Sequence, residues 1–115
     1  MSIPEQGTLL RIFIGESDRC PETRRPLHRA IVLRAREMGL AGATVLHGVM
    51  GFGKQSRRIH TAQILRLSED LPVVIEIVDS EEKIQSFIPW LDDHMGAGLV
   101  TLEDVRVISY RAQPE

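Results

Sequence analysis

The sequence has little of three things that would narrow its class at once: cysteine, long apolar runs and an excess of one charge. Its single cysteine, Cys20, excludes an internal disulfide and is typical of a reducing compartment. No apolar run approaches the roughly 20 residues that span a bilayer. Residues 1–7 lack the basic and apolar segments of a signal peptide. We therefore expect a cytoplasmic protein.

The charge balance argues against nucleic acid as a partner. With 14 basic and 16 acidic residues the formal net charge is −2, which does not suit a chain that mainly neutralises phosphates. Residues 1–66 nevertheless carry 11 basic and 5 acidic side chains, whereas residues 67–115 carry 3 and 11. This asymmetry is typical of two solvated faces of one small domain, or of a basic rim around an anion site, or of complementary patches that meet between subunits.

The periodicity of apolar residues predicts one domain over residues 1–115, with the element order β-α-β-β-α-β. Strands are predicted at 9–14, 43–50, 62–78 and 99–110. One helix is predicted from Pro26 to Gly39. A second helix follows a capping pattern that starts at Asp79 and runs to Met95, and Pro89 inside it should kink it or remove a hydrogen bond.

This order of elements is typical of the ferredoxin-like α+β sandwich, in which four antiparallel strands carry two helices on one face. Apolar residues occur on both faces of the second and third predicted strands. We therefore expect the helix-free face of the sheet to be covered by another subunit.

A glycine-rich segment at residues 48–55 is the first candidate for ligand binding. It nearly matches the phosphate loop G-x4-G-K-[S/T] of nucleotide hydrolases, but Gln55 stands where the hydroxyl that binds Mg²⁺ is needed. Two interpretations remain open. Backbone N–H groups and Lys54 bind an anion there, or the segment is a hairpin loop whose cations are solvated.

Catalytic and metal sites are not predicted. The paired carboxylates fall at predicted turns and helix ends, and Cys20 has no partner that would make it a nucleophile. No two of the four histidines have the spacing of one helical face, and Cys20 has no neighbouring cysteine, so no structural zinc site is expected. The four histidines are His28, His47, His60 and His94.

At residues 51–55, G-F-G-K-Q, the chain resembles the start of the T-loop in PII signalling proteins. The longer run from Leu10 to Tyr110 resembles an uncharacterised PII-like family, on segments at 10–16, 39–45 and 60–80. The resemblance implies a homotrimer with ligand clefts between neighbouring subunits, in which related proteins hold adenine nucleotides. It implies nucleotide-binding roles for Gly51, Gly53, Lys54, Gln55, Gly96 and Gly98.

Three departures from the PII pattern favour AMP or ADP over a triphosphate. Leu99 and Val100 follow the second glycine loop, where PII proteins have a phosphate-binding lysine. No tyrosine lies between Gly51 and Ala62. Near the C-terminus only Arg106 and Arg111 are available as phosphate-binding arginines.

These features predict a non-enzymatic signalling protein that requires no cofactor and binds an adenine nucleotide as a regulatory ligand. A mobile loop at 51–61 is expected to engage a partner through Arg57, Arg58 and His60. The resemblance makes a membrane transporter or channel the partner class to test first. The alternatives are a metal-binding trimer resembling divalent-cation tolerance proteins, which would need converging ligands, and an enzyme that uses the same cleft.

Overall fold

Four antiparallel strands and two helices make up the part of the chain that the computed structural model describes, residues 5–53 and 70–113. The elements are β1 (Gln6–Gly15), α1 (Leu27–Glu37), β2 (Thr44–His47), β3 (Pro72–Asp79), α2 (Glu81–His94) and β4 (Leu99–Arg106). The strands lie in the order β2-β3-β1-β4. The predicted α+β class and order of elements are therefore confirmed. Within these ranges, neither helix combines the length and apolar composition that crossing a bilayer requires.

One face of the sheet is sealed by the helices. In the two central strands every second residue is buried, because successive side chains of a strand point to opposite faces. The helices pack their apolar stripes onto this face. The residues with no more than 1% exposure in this core include Leu10, Ile12, Ile31, Ile75, Ile77, Ile84 and Phe87.

The opposite face, which we call the open face, mixes apolar and charged side chains. Leu9 and Phe13 of β1 are only half-buried there. Between them Arg11 pairs with Glu76 of β3, with Nε 2.9 Å from Oε2, and its Nη1 lies 3.7 Å from Oε1 of Glu103 on β4. The open face therefore carries two carboxylates and one guanidinium among apolar neighbours.

Helix α1 ends at the predicted glycine stop. Gly39 has φ 78°, in the left-handed region that glycine favours. Its N–H donates to the carbonyl of Arg36 at 3.1 Å, and the N–H of Leu40 donates to that of Ala35 at 3.0 Å. These two bonds satisfy carbonyls that the end of a helix leaves unpaired.

The cap of α2 differs from the prediction. Ser80, and not Asp79, is the N-cap, and its Oγ accepts a hydrogen bond from the N–H of Lys83 at 3.2 Å. Asp79 is instead 2% exposed, and its carboxylate accepts from the N–H of Ala41 at 2.9 Å and from that of Ser80 at 2.7 Å. The carboxylate thus joins the end of β3 to the segment that leads into β2.

Two strands are shorter than predicted. β2 ends at His47, because Gly48 donates to the carbonyl of Pro72 at 2.8 Å and Pro72 has no N–H with which to extend the ladder. β4 ends at Arg106 and is not interrupted at 103–104, where its pairing with β1 is continuous. Of the predicted strand at 62–78, residues 62–69 lie outside the described residues. The described strand begins at Pro72, the position that suits proline.

Candidate functional site

The two glycine segments predicted to bind a ligand lie at the same end of the sheet. Gly51 is beside Pro72 at the start of β3, where a Cβ on the glycine would be 3.0 Å from Cγ of the proline. Gly98, just before β4, is beside Phe13 near the end of β1. Gly15, the last residue of β1, pairs with Pro72, so both segments border the same few residues. We call this region the glycine end of the sheet.

Within this end, Gly98 is the glycine that the backbone requires. Its φ is 139°, and a Cβ there would lie 2.6 Å from the carbonyl oxygen of Phe13 and 2.6 Å from Cε of Met95. A Cβ at Gly53 or Gly96 would meet no atom within 4 Å. Substitution at Gly53 or Gly96 therefore tests ligand approach, whereas substitution at Gly98 also strains the fold.

The other predicted contacts at this end fall on residues that the structure does not describe. Lys54 and Gln55 of the nucleotide site, and Arg57, Arg58 and His60 of the partner-binding loop, lie outside the described residues. Immediately before them, three large apolar side chains are strongly exposed. These are Val49 at 93%, Met50 at 74% and Phe52 at 87%.

Carboxylates that the sequence analysis did not single out also border the glycine end. Asp18 Oδ2 accepts a hydrogen bond from the N–H of Gly15 at 2.9 Å, and Asp70 Oδ1 accepts from that of Ser17 at 3.1 Å. The first bond closes the turn after β1, and the second holds this turn against the segment that leads into β3. Their negative charge repels a highly charged anion at this end. No local pattern in the sequence predicts the bond between Ser17 and Asp70, since these residues are 53 positions apart.

His94 ties the same turn region to the end of α2. Its Nδ1 lies 2.7 Å from the carbonyl oxygen of Trp90, and its Nε2 lies 3.1 Å from Oε1 of Glu22. Both partners are acceptors, so the ring makes both bonds only as an imidazolium. The bond to Trp90 raises the pKa of His94, burial opposes the rise, and Glu22 adds to it. The imidazolium also stacks on the Trp90 ring, with centroids 4.1 Å apart.

Cys20 lies close to this cluster but is 2% exposed. Burial raises the pKa of its thiol, while hydrogen bonds from Thr23 and Glu22 lower it, and the net direction is downward. Because both nitrogens of His94 are already engaged, this histidine is not positioned as a general base for Cys20.

His28 and His47 meet beside Glu16. Their ring centroids are 5.7 Å apart with the planes at 82°, and Nδ1 of His47 lies 4.0 Å from Oε2 of Glu16. Helical spacing alone did not predict this contact between α1 and β2. Within residues 5–53 and 70–113, no group of three or more His, Cys, Asp and Glu side chains could hold a metal ion.

A groove of about 590 Å³ lies at the other end of the sheet, on the open face. Its floor includes Thr44, Glu76 and Val105, and its rim is the segment that follows β4. Tyr110 closes one side by donating a hydrogen bond to the carbonyl of Ala41 at 3.0 Å. Arg106, one of the two arginines considered for phosphate binding, lines the groove. In one chain it therefore lies far from the glycine end.

The fold defines an α+β protein with two helices on one face of a four-stranded antiparallel sheet. The chain belongs to the DUF190 family, described as "Uncharacterized ACR, COG1993", whose model matches residues 7–107. It is 42% identical over 100 residues to a UPF0166 protein of Aquifex aeolicus (strain VF5), covering 87% of this chain and 91% of that protein. It is 37% identical over 103 residues to UPF0166 protein MJ1524 of Methanocaldococcus jannaschii, covering 89% and 92%.

Solved structures of CPII from Thiomonas intermedia K12 share the fold. The structure bound to ADP, AMP and acetate aligns with a TM-score of 0.55 and 18% identity, over 89% of this chain and 88% of that chain. The structure bound to ADP and bicarbonate aligns with a TM-score of 0.54 and 19% identity over the same shares. The match to the family model confirms the expected uncharacterised family, and the CPII structures confirm the expected fold.

Proposed function

We propose that this protein is a regulator without catalytic activity that binds AMP or ADP in clefts between the subunits of a homotrimer. Residues 51–61 then convey the occupancy of the cleft to a partner, and a membrane transporter or channel is the first class to test. The observation that supports the proposal is that Gly51, beside Pro72 of β3, and Gly98, beside Phe13 of β1, lie at the same end of the sheet. CPII, which has the same fold, was solved with ADP and AMP.

We favour a cleft between subunits because the two regions that would form it, the glycine end and the groove with Arg106, lie far apart within one chain. The glycine end lies near Phe13, and the groove with Arg106 lies near Gly7. These positions are six residues apart in β1, or roughly 20 Å at about 3.3 Å per residue. A cyclic, head-to-tail arrangement brings one end of each subunit to the other end of its neighbour.

The open face supports self-association. It presents the half-buried Leu9, Phe13 and Val74, and two residues of the flanking strands, Leu46 at 48% and Leu99 at 56% exposure. Several exposed apolar side chains on one face favour an interface, and the ion pairs of Arg11 lie among them. Three copies around a threefold axis would cover all three open faces.

A mono- or diphosphate is preferred to a triphosphate on electrostatic grounds. Asp18 and Asp70 border the glycine end, and each is held in place by a backbone N–H. Each additional phosphate adds negative charge near these carboxylates, while glycine N–H groups supply only partial positive charge.

We propose that the protein is not catalytic because its candidate nucleophile, Cys20, and its candidate base, His94, are not free to react. Cys20 is almost fully buried, and His94 uses both ring nitrogens to hold the chain together. Neither is available as a nucleophile or base in its present arrangement.

Calorimetric titration with AMP, ADP, ATP and cyclic nucleotides, together with light scattering, tests the proposal. We expect a mass of three times the 12.9 kDa chain and saturable binding of AMP or ADP. Gly53→Val should abolish binding and leave the trimer intact, because its Cβ meets no atom within 4 Å in the protein. Ser86→Val, on the exposed side of α2, is the matched control and should bind as the wild type does.

The two parts of the proposal fail separately. A monomer that binds AMP or ADP would overturn the trimer, and a trimer that binds no adenine nucleotide would overturn the ligand. Nucleotide binding that Gly53→Val leaves unchanged would place the site away from the glycine end.

A further inference from the structure

Three apolar side chains at the glycine end are uncovered in one chain. Val49 is 93% exposed, Met50 74% and Phe52 87%, and we call these three the exposed triplet. Exposed apolar side chains that are scattered singly are normal, but three within four residues are typical of a surface that contacts another molecule. Neither the core nor the nucleotide proposal uses the triplet.

The groove at the other end of the sheet is suited to an apolar side chain. Its lining is mostly small or aliphatic and includes Ala43, Val78, Val105 and Ile108. Ile108 is itself 85% exposed, so the groove has apolar surface that is still uncovered. With a volume of about 590 Å³ it has the size of pockets that hold a whole small ligand, and an aromatic side chain therefore fits.

The two charged residues that line the groove are paired within their own chain. Oε2 of Glu76 accepts a hydrogen bond from Nε of Arg11 at 2.9 Å. Nη2 of Arg106 lies 3.6 Å from Oε2 of Glu5. An apolar occupant therefore does not bury an unpaired charge, which would be costly.

The exposed triplet does not reach the groove of its own chain. The N–H of Gly48 donates to the carbonyl of Pro72, and Gly51 also lies beside Pro72. Glu76, on the floor of the groove, is four residues along β3 from Pro72, or roughly 13 Å at about 3.3 Å per residue. Consecutive Cα atoms are only about 3.8 Å apart, so Phe52 stays at the glycine end. The occupant of the groove has to come from another molecule.

Given the trimer of the proposed function, on which this contact rests, we propose that Phe52 of each subunit packs into the groove of the next subunit. A projecting apolar segment at one end of a chain and an apolar groove at the other end make a head-to-tail contact, which closes into a ring under cyclic symmetry. Each copy then supplies one triplet and receives one, so neither surface stays exposed. Aromatic side chains that fill a pocket of the partner are typical anchors of protein interfaces.

Cysteine crosslinking of the nucleotide-free protein tests this contact. Phe52→Cys is combined with Ser109→Cys, at a residue of the groove lining, and the variant is treated with a short bismaleimide and run on a denaturing gel. We expect covalent dimers and trimers, because neighbouring copies bring the two thiols together. The wild type should stay monomeric on the gel, since Cys20 is only 2% exposed. Phe52→Cys with Ser86→Cys, on the exposed side of α2, is the matched control and should give no covalent trimer.

Two further variants test the two sides of the contact separately. Phe52→Ser removes the anchor and should raise the concentration at which the trimer dissociates at least about 10-fold. Gly42→Leu should have a similar effect, because it fills the groove while its Cβ meets no atom within 4 Å in its own chain. Leu33→Ser, which removes a side chain 44% exposed on α1, is the control and should leave the trimer unchanged. Light scattering on dilution measures the dissociation, and far-UV circular dichroism establishes that each variant is folded.

A wild-type trimer whose double-cysteine variant gives no covalent species would overturn the contact and leave the trimer of the proposed function intact. The same holds for folded Phe52→Ser and Gly42→Leu variants that dissociate as the wild type does. A trimer in which the thiol of Phe52→Cys reacts freely with N-ethylmaleimide would also overturn it, and would leave the exposed triplet open to another protein. A monomeric wild type would overturn both the contact and the trimer, and nucleotide titration of that monomer tests the ligand separately.

Discussion

The two halves of the chain, β1-α1-β2 and β3-α2-β4, repeat the same order of elements with different chemistry at the helix ends. Helix α1 follows Pro26 without a side-chain cap and ends at Gly39. Helix α2 is capped by the Ser80 hydroxyl and carries His94 in its last turn. The ends of α1 are thus set by backbone geometry, whereas the ends of α2 are held by side-chain hydrogen bonds.

The histidines follow the same division. In the first half His28 and His47 face each other beside an exposed carboxylate. In the second half His94 is only 11% exposed in its side chain, and both of its nitrogens contact acceptors. With the same order of elements, the histidines of the first half contact each other, whereas His94 of the second half holds α2 to the turn region through Glu22.

Substitutions that place a charge in the core should have the largest effect on the free energy of unfolding. The loss should be similar in the two halves. Ile31→Asp in α1 and Ile84→Asp in α2 each bury an unpaired charge at a position with 0% exposure. We expect each to cost about 3–5 kcal/mol in urea unfolding. Leu33→Asp, at a position 44% exposed on α1, is the control and should change stability little. A melting temperature unchanged in Ile31→Asp would show that this face of α1 does not cover the sheet.

Among the described residues, two glycines have a positive φ, one in each half. Their substitution by alanine should lower stability by different amounts. Gly98→Ala forces a Cβ to within 2.6 Å of the Phe13 carbonyl, and we expect a loss of about 2–3 kcal/mol. At Gly39 the nearest atom is the flexible Lys83 Nζ at 3.4 Å, so Gly39→Ala should lose only about 1 kcal/mol. Gly96→Ala has open space and serves as the control. Equal losses at Gly39 and Gly98 in thermal unfolding would contradict the close approach at Gly98.

Removal of the side-chain cap should affect the second half alone. Ser80→Ala deletes the oxygen that accepts from the N–H of Lys83, and we expect a loss of about 1 kcal/mol. Ser86→Ala, which removes an exposed hydroxyl from the same helix, is the matched control and should lose less. Chemical denaturation of both variants measures the difference. A larger loss for Ser86→Ala would show that the cap contributes nothing.

The smallest effect should be the pH dependence that His94 gives the second half. The pKa of His94 is raised in the folded protein, so its contribution is complete below the unfolded value of about 6.5 and is lost as pH rises through the higher folded value. A cation at a helix C-terminus contributes about 0.3–1 kcal/mol. The last turn of α1 instead carries Arg34 and Arg36 and no histidine.

His94→Gln should therefore remove the fall in the free energy of unfolding that occurs as pH rises above about 6.5. Glu22→Gln should make this fall smaller. Urea midpoints measured across this range provide the test. A profile that stays equally steep in His94→Gln would assign the pH dependence to another group.

Much of the fold could be predicted because periodicity is local. A window of a few residues is enough to predict which side chains are buried, from alternation in β1 and β3 and from helical spacing at Ile31 and Ile84. The prediction was wrong at Asp79, because the serine that follows it is itself a favoured N-cap residue and its hydroxyl accepts from the N–H of Lys83. It was also wrong at the end of β2, where the ladder depends on Pro72 of another strand.

The binding roles of Gly51 and Gly98 stay predictions from a short motif and the family resemblance. Both glycines lie at one end of the sheet. The contacts of Asp70 with Ser17 and of His94 with Glu22 join residues 53 and 72 positions apart. No spacing rule links such pairs, since the path of the turn after β1 decides them.

The sequence by itself determined the elements, their order, the sealed face of the sheet and the membership of the family, because each depends on residue patterns that are readable along the chain. Only the tertiary structure decided that His28 meets His47, that Asp79 joins two strands, and that the groove lies at the end opposite the glycines. The physical reason is that backbone hydrogen bonding and apolar burial repeat with local periods. Contacts between distant side chains depend instead on strand register and on the course of the loops.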